Sequence, residues 1–233
     1  MFARALRYEV LRMTLLLDNI EVHLLSSFAA PTRRDTPYTH WLVRNCLPQT
    51  VIDQVIDLPL AAPDLGSVSG KRELHNDSRK YFDVGNRNRF PCVAATARAF
   101  QNPQVTSAIS KIFGVSLKNT YLRIEFAQDR DGFWLEPHTD IGVKAFTYLL
   151  YLSKDRTHFT LGTDIYNTEK KWVGRSPFQS NAGMIFVPST ISYHGFEKRP
   201  IEGVRKSLVI NYVTEDWRAR EQLAYPDQPI QTD

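Results

Sequence analysis

Three residues, distant in the chain, are of the types that share a metal ion. The segment Trp134-Leu-Glu-Pro-His138-Thr-Asp140-Ile-Gly sets an imidazole and a carboxylate two positions apart. On extended backbone, residues i and i+2 project to the same side, so His138 and Asp140 can converge. A second imidazole, His194, lies far downstream in Pro188-Ser-Thr-Ile-Ser-Tyr-His194-Gly-Phe. The intervening chain is long enough for several strands to return to one end of a barrel. Two histidines and one carboxylate cover one face of an octahedral ferrous ion and leave three positions open. A structural zinc site would instead be closed by four protein ligands. His-x-Asp alone is a weak signal. In a chain with six histidines, ordinary composition produces a chance match about one time in three.

The residues after His194 strengthen the reading. Arg205 and Ser207 stand two apart in Val204-Arg-Lys-Ser-Leu-Val-Ile-Asn-Tyr-Val, which alternates strongly. Arg205, Ser207, Val209 and Asn211 share one face; Lys206, Leu208, Ile210 and Tyr212 share the other. A guanidinium binds a carboxylate through two parallel bonds and a nearby hydroxyl adds a third. The competing reading is an edge-strand arginine in solvent. The order His138-x-Asp140, His194, Arg205-x-Ser207 resembles that of the iron(II)/2-oxoglutarate-dependent dioxygenase superfamily, over about residues 117–213. Glu136-Pro-His-Thr-Asp followed by Thr147-Tyr-Leu-Leu-Tyr-Leu resembles its prolyl-hydroxylase-like branch. The resemblance implies a double-stranded β-helix, the jelly-roll or cupin-like fold. It implies Fe(II), 2-oxoglutarate and O2, with ascorbate as a stimulant. It assigns the distal carboxylate of 2-oxoglutarate to Arg205, assisted by Ser207, and implies hydroxylation with release of succinate and CO2. Related halogenases carry a small residue in place of the carboxylate ligand, so Asp140 disfavours halogenation. Desaturation, ring formation and demethylation are compatible with the same ligands.

Elements of suitable period surround these groups. Val51, Ile52, Val55 and Ile56 recur at helical spacing and predict a helix over 48–57 opened by Pro48. A second helix is expected over 91–113, split at Pro103 and ended by Gly114. Thr39 to Leu47 reads as a short apolar strand. Residues 58–90 read as a long loop, and residues 1–35 as one strand or helix followed by a loop. From 117 onward the period becomes two, over 120–127, 145–152, 183–188 and 204–213. Helices first and short strands after predict a mainly β fold with flanking α. The expectation is a single domain, 1–233: an N-terminal buttress and lid over 1–116, a jelly-roll core over 117–213, and a C-terminal tail over 214–233 with a short helical pattern.

Further candidates follow from the alternation. Leu122, Ile124 and Phe126 are expected to pack on the helices, leaving Tyr121, Arg123 and Glu125 to the barrel interior. Tyr121 and Thr147 are candidates for 2-oxoglutarate, with core packing as the alternative for each. Arg123 and Asn211 are candidates for substrate, Arg123 equally for an ion pair with Glu125 or Asp129. In the donor-rich stretch 71–90, Arg79 and Asn76 are candidate substrate contacts. Lys144 reads as solvated, with a ligand contact as the alternative, and His75 and His158 read as surface or loop residues. The formal net charge of +4 with scattered basic residues gives no footprint for nucleic acid or an anionic membrane. The run Met13 to Leu17 is too short for a signal peptide core or a membrane span. The two cysteines, Cys46 and Cys92, match no metal or redox spacing. A cytoplasmic protein with a small-molecule substrate is the expectation, with a protein side chain, or metal binding without turnover, as alternatives. Oligomeric state is not legible.

Overall fold

The computed structural model describes residues 19–63, 70, 79–140 and 142–231 of the 233-residue chain. Among these residues the strands form two antiparallel sheets. The larger is built from β1 (Thr32–Arg34), β2 (His40–Arg44), β3 (Lys80–Tyr81), β4 (Tyr121–Asp129), β6 (Lys144–Tyr151), β9 (Ala182–Phe186) and β11 (Arg205–Val213), in the order β1-β2-β9-β6-β11-β4-β3. The smaller contains β5 (Leu135–His138), β7 (Asp164–Tyr166), β8 (Trp172–Arg175) and β10 (His194–Phe196), in the order β5-β10-β7-β8.

The period-two pattern decides which face of the large sheet is covered. Leu208, Ile210 and Tyr212 of β11 stand opposite Phe126, Ile124 and Leu122 of β4 and opposite Leu150, Tyr148 and Phe146 of β6. These nine side chains form three rows in the main core, each at most 1% exposed. Burying a side chain of this size stabilises by roughly 1.5–3 kcal/mol, so a slip by one residue would forfeit the whole face. Helices close that face: α1 (19–29), α2 (Gln49–Ile56), α4 (Pro91–Gln101) and α5 (Pro103–Phe113). Ile20, Leu24 and Phe28 supply the stripe of α1; Val51, Ile52 and Val55 that of α2. The break between α4 and α5 falls at Asn102, whose side chain accepts the Gln104 N–H at 2.7 Å while Pro103 opens the next helix. Gly114 ends α5 with φ +69°, a conformation that costs glycine little. The Tyr212 hydroxyl donates to the Phe100 carbonyl at 2.6 Å and pins the sheet to α4. Both cysteines are free thiols in this core.

The sequence expectation needs correction at three places. The stretch 58–90 holds β3 and a short helix, α3 (Val84–Arg89), whose start is capped by Asp83 accepting the Asn86 N–H at 2.8 Å. Neither element buries a periodic stripe, which is why neither was legible. Residues 19–29 are helical and 32–34 are extended, so that region holds both elements rather than one. Among its described residues the tail carries only a 3-10 turn, Arg220–Gln222. No helix among the described residues is long and apolar enough to cross a membrane.

Candidate metal and co-substrate site

The uncovered face of the large sheet and the inner face of the small one enclose a pocket of about 130 Å³. His138 ends β5 and His194 begins β10, and the two are directly paired across the ladder. Their rings lie 4.4 Å apart between centroids. Asp140 follows in the turn between β5 and β6. Ligand atoms of the three residues all lie within 4.8 Å of one another. Nε2 of His138 is 3.7 Å from Asp140 Oδ1, and Nε2 of His194 is 3.8 Å from Oδ2.

The tautomers follow from the opposite nitrogens. His138 Nδ1 is 2.8 Å from the Glu136 carbonyl and His194 Nδ1 is 3.1 Å from that of Ser192. A carbonyl only accepts, so each Nδ1 carries the proton and each Nε2 presents a lone pair. Burial pushes the His194 imidazole down to about 3, helped by His138, so it is neutral at ordinary pH. Burial works to raise the Asp140 carboxyl, but Lys144, His194 and His138 outweigh it and hold the group well below the usual carboxylate range. Two imidazoles and one carboxylate are the donor set that suits a ferrous ion.

Arg205 and Ser207 line the same pocket as His138, Asp140 and His194, and Val209 and Leu149 also line it. The Arg205 guanidinium is 4% exposed. Its Nε donates to the Leu161 carbonyl at 2.7 Å and one terminal nitrogen donates to Asp129 at 2.6 Å. Phe196, Phe178 and Tyr151 surround it, with ring centroids 4.9, 5.3 and 5.8 Å away. The Tyr151 hydroxyl is anchored by Thr163 at 2.9 Å and Ser176 at 2.5 Å.

No family model matches the sequence, and no curated protein matches it. Solved structures do match. One is a prolyl-4-hydroxylase from Pseudomonas putida, 14% identical, TM-score 0.53, covering 84% of this chain and 93% of that one. A second is a prolyl hydroxylase from Trichoplax adhaerens in complex with a hypoxia inducible factor oxygen degradation domain peptide fragment, 14% identical, TM-score 0.55, covering 91% and 95%. A third is a prolyl 4-hydroxylase from Phytophthora capsici, 12% identical, TM-score 0.56, covering 87% and 67%. The chain has the prolyl-hydroxylase fold. At this identity the shared property is the jelly-roll, and the chemistry has to be argued from the side chains that this chain places on it.

On that fold, the other sequence candidates fall in different places. Arg123 lines the pocket beside Glu125 and Gln222. It donates to Gln222 Oε1 at 2.9 Å, Asn211 Oδ1 at 3.1 Å and Glu125 Oε2 at 3.2 Å. Of the two readings for it, the ion pair with Glu125 is present. Asn211 and Thr147 lie behind the pocket surface and bond to each other at 3.0 Å. Arg79 is buried against Glu125 and does not line the pocket. Tyr121 does not line it either: at the end of β4 its ring lies beneath the Arg220 guanidinium, 3.9 Å away. Asn76 and His75 lie outside the described residues. Lys144, read as solvated, donates to Asp140 Oδ1 at 2.7 Å and is a pocket residue. His158, read as a surface or loop residue, is 2% exposed and bonds the Glu202 carbonyl at 2.7 Å.

Trp217 and Gln222 also reach the pocket, from the C-terminal segment. The short helical pattern read in that segment did not announce them. Tyr151 was findable, since it continues the Thr147, Leu149 series at period two.

Proposed function

We propose that this chain is a non-haem Fe(II)- and 2-oxoglutarate-dependent dioxygenase that hydroxylates a small polar molecule, such as an amino acid or a natural-product intermediate. One observation carries the reading. Two Nε2 lone pairs and a carboxylate converge within 4.8 Å at the pocket that also holds Arg205. A bound iron(II) would bring dioxygen activation, coupled to conversion of 2-oxoglutarate to succinate and CO2 and of a substrate C–H to C–OH. His138, Asp140 and His194 would hold the ion, each through one ligand atom. Arg205 takes the distal carboxylate of 2-oxoglutarate through N–H groups not engaged by Leu161 and Asp129, and Ser207 adds a hydroxyl. Leu149, Val209 and Phe196 give the pocket apolar walls that keep bulk water from the reacting atoms. A peptide side chain is the second reading, favoured by the neighbour solved with a peptide.

The test is succinate release from purified protein with Fe(II), ascorbate and 2-oxoglutarate, followed by a metabolite screen for stimulation. His138→Ala and Asp140→Ala should each lower turnover by at least about 100-fold, a loss of more than roughly 2.7 kcal/mol of barrier reduction. Wild-type rates in both variants would refute the assignment. Tight 2-oxoglutarate and metal binding without any succinate would point to a sensor instead.

A further inference from the structure

The wall between the metal ligands and Arg123 contains a hydrogen-bonded row with a single direction. Arg123 of β4, Asn211 of β11 and Thr147 of β6 are cross-strand neighbours in register. The Arg123 guanidinium donates to Asn211 Oδ1 at 3.1 Å. Asn211 Nδ2 donates to Thr147 Oγ1 at 3.0 Å, and Thr147 Oγ1 donates to Asp140 Oδ2 at 2.8 Å. Each link fixes the next. The guanidinium has no acceptor, so the amide must turn its oxygen toward Arg123 and its nitrogen toward Thr147. The threonine hydroxyl has one proton and accepts from Asn211, so that proton goes to the carboxylate. None of the four residues is more than 7% exposed, so water does not compete strongly for these bonds. Arg123 is itself held by Gln222 and Glu125 and lies over the Tyr81 and Trp217 rings at 4.8 and 4.9 Å.

We propose that Thr147 and Asn211 are positioning residues for Asp140. The row pins Oδ2, stops rotation of the carboxylate and presents the group to a metal in one orientation. This rests on the metal reading above and moves Thr147 and Asn211 away from direct contact with 2-oxoglutarate or substrate.

The experiment is titration of metal-free protein with Mn(II), reading free Mn(II) by electron paramagnetic resonance. Loss of an outer partner of a metal ligand typically costs 10–100-fold in metal affinity. Thr147→Val keeps the shape and removes the hydroxyl, and should weaken Mn(II) binding by about 10- to 100-fold. Thr147→Ser restores the donor and should return to within about threefold of wild type, a rescue that a packing role for the methyl group would not give. Asn211→Leu, which leaves Thr147 in place, should weaken binding less, about 3- to 10-fold, and decides the matter if Thr147→Val does not fold. Wild-type protein that binds no Mn(II) overturns the metal site itself. Wild-type protein that binds Mn(II), with Thr147→Val or Asn211→Leu folded and within twofold of it, overturns the positioning role alone.

Discussion

Replacing Arg205 by Met should damage stability as well as co-substrate binding. The side chain is 4% exposed and Asp129 is 2% exposed, with 2.6 Å between their charged atoms. Methionine fills much of the same volume but leaves the Asp129 carboxylate buried without that guanidinium. Breaking a buried pair in this way costs about 3–5 kcal/mol. The Leu161 carbonyl also loses its 2.7 Å donor. For a chain of this size, about 2–4 °C per kcal/mol converts the loss to a fall in melting temperature of roughly 6–20 °C. Urea unfolding followed by the fluorescence of the four tryptophans measures it directly. Arg205→Met with Asp129→Leu removes both charges, and should recover most of the loss, because an apolar pair of similar volume is often neutral relative to the ion pair. The double variant should still bind 2-oxoglutarate poorly, which separates the structural role of Arg205 from its proposed co-substrate role. A loss below about 1 kcal/mol in Arg205→Met, or a double variant as unstable as the sum of the singles, would refute the reasoning.

Three further outcomes follow from the same structure. Gly183→Ala would set a Cβ 2.5 Å from the Leu149 carbonyl oxygen and 2.6 Å from the Tyr148 ring; β9 is paired on both sides and cannot move away, so unfolding in urea should show a loss of about 2–3 kcal/mol. Tyr212→Phe removes the 2.6 Å bond to the Phe100 carbonyl and should cost about 1–2 kcal/mol by the same assay. Asp164 has a fully buried side chain held by Arg175 and Arg199 at 2.6 Å each; Asp164→Asn should cost about 3 kcal/mol at neutral pH. Burial works to raise the Asp164 carboxyl, but bonds from Arg199, the Glu197 N–H and Trp172 more than offset it, so the folded group titrates below the usual 3.8. Its stabilisation is therefore complete above the unfolded value and is lost as pH falls through the lower folded one. The gap between wild type and Asp164→Asn should be constant from neutral pH to about pH 5 and close in acid; a gap that widened below pH 4 would contradict this.

Alternation along a strand reports which side chains are buried, and it needs no partner to do so. That is why β4, β6 and β11, the inward set led by Arg205 and Ser207, and the pairing of His138 with Asp140 were legible from the amino acids alone. The helices α2, α4 and α5 were legible for the same reason, through their apolar stripes and the Pro103 and Gly114 punctuation. The register between distant strands is a different kind of information. It depends on the packing of whole sheets and helices, and only the folded chain sets Asn211 between Arg123 and Thr147, or Asp129 against Arg205. A charged residue that looks solvated by its neighbours in sequence, as Lys144 does, becomes a partner of Asp140 only when a turn folds it back. Trp217 and Gln222 reach the pocket because the C-terminal segment returns across β4, where Arg123 pairs with Leu223. The types of the reacting groups were thus written locally, while the bonds that orient them were decided by contacts between residues far apart in the chain.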